Sequence, residues 1–439
     1  MSSFFCSFLN HLKKNDNMTS HDSMNSHPTD EYTHQDFFRM PLTFEEIKTK
    51  TEKYILNTYN RLPVAFYFGQ GPYLYDTEQK RYLDFLSGIS VTNLGHGEAD
   101  LVEAIREQAE RIIHTSNLFY NEEQAMLAEV LISYSFPGKV FFCNSGTEAN
   151  EAAIKFARHY GQKEKNGAEI IVSLERSFHG RTFGSLSITG NEKVRKGFGS
   201  LLSNIEIIPV DTEALIRLFE SKGEYICALI VEPIQGEGGI YPLSKEFLVT
   251  ARELTKESKS LLIFDEIQCG IGRTGHLFAY QYYDVEPDVI TLAKGLGNGF
   301  PIGAMIVKED FTSIFEPGIH GSTFGGNHLA CRVAYETIKV LMTRDILDNI
   351  EGLSEYFFRR LYSLKSQFSF IKDVRGIGLM IGIELDRPCK EIVLKCLENG
   401  LIVNCTAEKV IRLLPPLNIN LEIANEGLEI LQKTLESFR

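Results

Sequence analysis

The chain has 439 residues, 43% of them hydrophobic and 23% charged, which is enough apolar material for a large core and more than one folding unit. A formal net charge of −13 argues against nucleic acid as a partner and suits a soluble cytoplasmic protein that handles small molecules. No stretch approaches the roughly 18 apolar residues of a membrane span, so no membrane partner is expected. The eight cysteines include no Cys-x-x-Cys pair, and several sit in apolar runs, so reduced core thiols are expected throughout.

Residues 1–40 are read as a disordered tail, because Asp16–Asp36 is rich in Ser, His, Asn, Asp and Thr and lacks periodicity. Its opening has lysines after the apolar residues and no small-residue cleavage site, which fits neither a signal peptide nor a transit peptide. His21, His27 and His34 lie there without a scaffold, and no metal site is assigned. Order is expected from Thr43, where Thr-Phe-Glu-Glu forms a capping box ahead of a helix. Phe66–Phe85 reads as a small antiparallel sheet, Gly88–Gly97 as a loop, and Glu103–Ile113 and Glu122–Ile132 as helices.

Lys139–Cys143 is a buried strand followed by Asn144-Ser145-Gly146-Thr147 and a helix over Glu148–Tyr160. Strand, Ser-Gly-Thr and helix N-terminus together suit a phosphate: glycine admits a close approach, free N–H groups point outward, and the dipole favours an anion. An ordinary N-cap turn would use the same residues, and both readings stand here. Apolar runs then recur at Ile170–Leu174, Ile205–Val210, Cys227–Val231, Leu261–Phe264, Val289–Ala293 and Ala304–Val307. Such runs mark strands buried on both faces, hence an α/β fold around a mostly parallel sheet. From about Leu329 long amphipathic helices take over. Gly376–Leu385 is read as one glycine-eased strand, since its Gly-x-Gly pattern opens no helix and so fails as a dinucleotide loop.

Two of these strands end in chemistry. Leu261–Phe264 runs into Asp265-Glu266 and Val289–Ala293 into Lys294, at the carboxyl ends where open α/β sheets hold ligands. A lysine among apolar walls has a lowered pKa and a nucleophilic amine, and a neighbouring carboxylate can keep a ring nitrogen protonated. That pair matches the needs of pyridoxal phosphate, a Schiff-base lysine and an acidic partner for the pyridinium. Most strand-end acids and lysines simply face water, so the pair alone does not decide.

Six motifs in order do more: Ser145-Gly-Thr-Glu-Ala-Asn, Ser177-Phe-His-Gly-Arg181, Glu232-Pro-Ile-Gln-Gly-Glu237-Gly-Gly, Asp265-Glu-Ile-Gln268, Lys294-Gly and Gly321-Ser-Thr323-Phe-Gly-Gly-Asn. From about Thr43 to the C-terminus the chain resembles the class III, pyridoxal-phosphate-dependent aminotransferases. The resemblance implies a fold-type I transferase and a homodimer with shared active sites. A large domain over 98–328 would carry the cofactor, and a smaller α+β domain would be built from 41–97 and 329–439.

By that resemblance Lys294 carries the cofactor and moves the substrate proton, Asp265 pairs with the ring nitrogen, and Gln268 bonds the ring 3-oxygen. Ser145, Gly146 and Thr147 hold the phosphate, joined by Thr323 from the other subunit, and Phe178 stacks on the ring. Arg181 takes the distal substrate carboxylate, Arg412 the α-carboxylate of 2-oxoglutarate or glutamate, and Glu237 neutralises Arg412 while the amine donor is bound. Gly236, Gly238 and Gly239 around Glu237 favour a moving gate over a plain salt bridge. Ser322 is placed in the substrate site. Tyr59 is read either as part of the donor pocket or as a packing aromatic. Thr58–Pro63, Ser116–Asn121, Pro317–Gly321 and Ile411–Leu417 bring the resemblance nearest to members that use N-acetylornithine. Ornithine, succinylornithine and 4-aminobutyrate are the alternative donors.

Overall fold

The computed structural model describes residues 42–439, of which Thr43–Arg439 form one compact unit. The expected tail and the His21, His27 and His34 tract lie outside the described residues. Order opens as the capping box requires: Thr43 Oγ1 accepts from Glu46 N–H at 3.3 Å, and Glu46 Oε2 accepts from Thr43 N–H at 2.8 Å. The helix Phe44–Tyr54 follows.

The centre is a seven-stranded sheet. In spatial order its strands are Gly138–Cys143, Gly303–Lys308, Val289–Leu292, Leu261–Asp265, Ile226–Val231, Ile170–Leu174 and Ile205–Ile208. The last five run parallel, and Gly303–Lys308 is antiparallel to both of its neighbours. Ile226–Val231, Leu261–Asp265 and Val289–Leu292 are buried at every residue, because helices cover both faces and leave no polar side to alternate with. Asp265 pairs in register with Thr291, which sets the acid two residues and one strand away from Ala293 and three from Lys294.

The two chain ends meet in a second sheet. Phe66–Gln70, Tyr73–Asp76 and Arg81–Asp84 form an antiparallel meander, and Leu401–Ile402 joins its edge in parallel, pairing Leu401 with Leu83. The Arg273 guanidinium, fully buried, fastens distant parts of the chain. It donates to Ser90 Oγ at 3.1 Å, Asn93 Oδ1 at 2.5 Å and the Leu379 carbonyl at 3.3 Å, and also to the Pro415 carbonyl. Burial lowers its pKa to about 9.

Two expectations are corrected. Gly376–Leu385 is not one strand: Ile371–Ile377 and Met380–Leu385 form a hairpin, paired from Ile377–Met380 back to Ile371–Leu385. Gly378 at φ +57° turns the chain, and a Cβ there would stand 2.3 Å from the Arg273 carbonyl oxygen, so only glycine fits the reversal. Nor are all the cysteines reduced. Cys389 and Cys405 form a disulfide with their Cα atoms 5.7 Å apart, while Cys143, Cys227, Cys269, Cys331 and Cys396 are free and buried. Cys389 stands just before the helix Lys390–Glu398, which packs on the edge strand Asn404–Thr406, so the bridge is a product of tertiary packing.

Candidate active site

At the carboxyl ends of the central strands lies a cavity of about 360 Å³, within the usual range of small-molecule sites. Ser145, Gly146 and Thr147 form one wall, Phe178 and Arg181 another, and Asp265, Gln268 and Lys294 the floor. The sheet makes this convergence: each group follows a strand end, and neighbouring ends differ by one strand spacing.

The phosphate-like corner and the N-cap turn prove to be the same structure. The helix spans Gly146–Glu164, and Ser145 Oγ accepts from Glu148 N–H at 3.3 Å while lining the cavity. A Cβ on Gly146 would lie 2.9 Å from Ile267, and one on Gly180 would lie 2.3 Å from Thr147 Oγ1. Thr147 Oγ1 accepts from the Arg181 backbone N–H at 3.3 Å, which binds the two walls together. An anion at this helix N-terminus would meet free N–H groups and the positive end of the helix dipole.

Asp265 is held by three partners. Asn150 Nδ2 donates to its Oδ2 at 2.8 Å, His179 Nδ1 stands 2.7 Å from the same oxygen, and Ile267 N–H donates to Oδ1 at 3.1 Å. Thr291 Oγ1 donates to Asn150 Oδ1 at 2.8 Å, so the supporting amide is itself fixed. Next along the strand, the Glu266 carboxyl is pushed up to about 8 by burial and accepts from the Tyr280 N–H at 2.8 Å. Alternation sends these two acids to different jobs.

Lys294 opens a short helical turn at φ +47°, a left-handed conformation that costs a non-glycine residue on the order of 1 kcal/mol. Burial pulls its ammonium below the usual lysine range. The Glu237 carboxylate opposes that fall, and the Arg412 charge adds to it. The result is an amine more readily neutral than a surface lysine. Phe178, half-buried on the wall, donates its N–H to Glu232 Oε2 at 2.9 Å, and the Arg181 guanidinium lies 5.4 Å from its ring. Burial raises the Glu232 carboxyl to about 7, against the pull of His179.

Across Gln268 lies an ion pair. Arg412 Nη1 donates to Glu237 Oε1 at 2.6 Å and to Gln268 Oε1 at 3.2 Å, while its Nε donates to Asn404 Oδ1 at 3.1 Å. Arg412 Nη2 is buried without a partner, although the Arg412 side chain is fully buried. For Glu237, burial pushes the carboxyl up, but the Arg412 charge and hydrogen bond outweigh it and leave it below the usual range.

Besides Glu237 and Arg412, which pair beyond Gln268 and do not line the cavity, three predicted residues stand apart from it. Tyr59 is exposed, with Arg61 at 5.5 Å from its ring. Thr323 is exposed, and Ser322 Oγ accepts instead from Asn144 Nδ2 at 3.2 Å and from Gly325 N–H at 3.0 Å. Conversely, Asn150, His179, Glu232 and Asn404 were not assigned from sequence. Asn150 carried one signal: it is a polar residue one turn into the helix, among the buried Ala149, Ala152 and Ala153.

The Aminotransferase class-III family pattern matches residues 54–435. The acetylornithine aminotransferase of Caldanaerobacter subterraneus subsp. tengcongensis is 46% identical over 394 residues, 89% of this chain and 99% of that one. A solved ornithine aminotransferase from Toxoplasma gondii, described with partial occupancy of PLP at its active site, superposes with a TM-score of 0.86 at 32% identity, covering 90% of this chain and 94% of that chain. The acetylornithine aminotransferase structure from Elizabethkingia anophelis gives 0.82 at 34% identity, over 91% of this chain and 100% of that one. The chain therefore belongs to the class III aminotransferases and is an aminotransferase enzyme of mixed α/β fold.

Proposed function

We propose that this enzyme moves the δ-amino group of N2-acetyl-L-ornithine to 2-oxoglutarate, giving N-acetyl-L-glutamate 5-semialdehyde and L-glutamate, a step of arginine biosynthesis. The observation that carries the reading is the Glu237–Arg412 pair beside Lys294. A buried arginine with a free Nη2 is a carboxylate receptor, and the carboxylate now on it is mobile cargo's stand-in. The donor brings no carboxylate to its reacting end, so Glu237 keeps Arg412 paired while the donor is bound. The α-carboxylate of 2-oxoglutarate then replaces Glu237. Leaving Arg412 unpaired would cost about 3–5 kcal/mol, which is why a resident carboxylate is needed between the two halves of the cycle.

Pyridoxal 5'-phosphate, when bound, supplies an electron sink for the substrate carbon that loses its proton. The cavity's residues fit it. Ser145, Gly146 and Thr147 line the cavity at the N-terminus of the helix Gly146–Glu164, where a phosphate would be received, Phe178 offers a flat apolar plate, and Asp265 offers an acceptor held in place. Lys294 would supply the amine that attaches the cofactor and would carry the substrate proton, Gln268 would bond the ring 3-oxygen, and Arg181 would take the distal carboxylate of either substrate. We assign Ser322 to support of Asn144 at the cavity wall.

Thr323 serves the cavity of a second copy of the chain, and Tyr59 borders a donor pocket completed by that copy. Support for a homodimer comes from the exposed Leu118, Phe119, Tyr120 and Phe324, an apolar patch beside Thr323. We place the enzyme in the cytoplasm on its five buried free thiols, against which the Cys389–Cys405 bridge stands as the exception.

The test is a single-turnover titration of the cofactor-loaded protein without 2-oxoglutarate, adding N-acetylornithine, ornithine, succinylornithine and 4-aminobutyrate separately. Fast loss of the cofactor's visible absorbance with N-acetylornithine and slow loss with ornithine and 4-aminobutyrate is expected, by about tenfold or more. Preference for another amine would move the enzyme to that substrate, and no response to any would overturn the reading.

A further inference from the structure

A run of glycines beside a gating residue is naturally read as a hinge. The surroundings of Glu237 contradict that. Between Val231 and Ile240 every residue is buried except Glu237 itself. A Cβ on Gly236 would stand 2.3 Å from Gln268 Oε1, one on Gly238 2.7 Å from the Arg176 carbonyl oxygen, and one on Gly239 3.0 Å from the Tyr241 ring. These glycines make room for close packing, and close packing leaves the backbone nowhere to go.

The same backbone is tied by one side chain of its own segment and by two from other parts of the fold. Glu232 Oε1 accepts from Gly236 N–H at 3.1 Å, while its other oxygen accepts from Phe178 N–H at 2.9 Å. Thr406 Oγ1 donates to the Glu237 carbonyl at 2.7 Å. Arg375 donates from Nη2 to the Gly239 carbonyl at 2.7 Å and from Nε to the Ile240 carbonyl at 2.9 Å. Its guanidinium is in turn held by Glu384 at 2.5 Å and lies 3.7 Å from the centre of the Tyr241 ring. Within the segment, Gly239 N–H and Ile240 N–H donate to the Gly236 carbonyl at 3.3 and 3.4 Å. Moving this segment would strand several buried donors and acceptors at once.

The Glu237 side chain is different. It is about one-third exposed (32%), and its carboxylate is held by Arg412, the partner that a substrate carboxylate would take over, and by the Gln268 side chain. Rotation about its own bonds exchanges one carboxylate for another on Arg412 and disturbs none of the backbone ties.

We propose that Glu232, Thr406 and Arg375 are positioning residues that clamp the backbone of 236–240, so that Glu237 releases Arg412 by turning its side chain alone. The inference rests on the gating role proposed above and specifies how that gate works. A clamped backbone returns Glu237 to the same place after every turnover, so Arg412 is not left unpaired between the two substrates.

The direct test is amide hydrogen exchange on the holoenzyme, with and without saturating glutarate, a dicarboxylate that lacks the reacting oxo group. Exchange at Gly236, Gly239 and Ile240 should be slow and change by less than about twofold. Acceleration by about tenfold on glutarate binding would overturn the clamp. As a second readout, Thr406→Val keeps the side-chain shape and removes one donor. It should slow the N-acetylornithine half-reaction several-fold, on the order of three to ten, because a loosened Glu237 leaves Arg412 unpaired while the donor is bound, with KM for 2-oxoglutarate no more than about twofold above wild type. Equal losses in both half-reactions, or none in either, would reduce these residues to ordinary packing. The parent reading has its own signature. If Glu237→Ala handled both half-reactions as wild type does, the gate itself would be wrong, whereas fast exchange beside a normal Glu237→Ala effect would sink the clamp alone.

Discussion

Asp265 and Arg412 face the same region of the molecule, yet their partners are arranged differently. Asp265 has both oxygens engaged, by Asn150 at 2.8 Å, His179 at 2.7 Å and Ile267 N–H at 3.1 Å, and the Asn150 amide is itself held by Thr291. Arg412 is fully buried but keeps Nη2 without a partner, and its counter-ion Glu237 is about one-third exposed (32%). A group that must do one thing throughout a cycle is surrounded until nothing near it can move. A group that must exchange partners is left one bond short. Hydrogen-bond completeness therefore separates the constant part of the site from the part that responds to substrate.

Breaking the constant part should have the largest effect. Asp265→Asn keeps the shape and removes the charge, and turnover should fall on the order of 10²–10³-fold, measured in steady state with cofactor in excess. Because the charge serves both half-reactions, both should fall together. Asn150→Ala sharpens the same point at smaller scale. It removes one of the partners of Asp265 Oδ2 and also the donor to the His179 carbonyl. A loss of about fivefold, again equal in the two half-reactions, is expected from a net hydrogen-bond contribution near 1 kcal/mol. An unequal loss from either variant would erase the distinction between the two regions.

The sequence carried much of this site, for physical reasons. Strands buried on both faces leave unbroken apolar runs, so Ile170–Leu174 and Val289–Leu292 were legible almost to the residue, and the groups at their ends with them. What was lost is whatever depends on contact between distant segments. The Cys389–Cys405 bridge joins residues 16 apart through a helix packed on an edge strand, and no spacing announces it. The hairpin at Gly378 was missed because apolar alternation continues through the turn and only the left-handed φ of +57° interrupts it. Tyr59 and Thr323 lie exposed, apart from the cavity that the other motifs build, since a motif records residue types and not where the fold puts them. Glycine permits both motion and close approach, and around Glu237 the neighbours of Gly236 and Gly238 stand at close approach, which no sequence pattern states.

The central claim is that Arg412 serves one half of the cycle and Asp265 both. Single-turnover rates of the Arg412→Ala holoenzyme, with N-acetylornithine and with L-glutamate in turn, test it most directly. The account predicts a fall of about 10²-fold with glutamate, as expected for losing a buried carboxylate receptor, and less than about threefold with N-acetylornithine. Equal falls with both amines would contradict it.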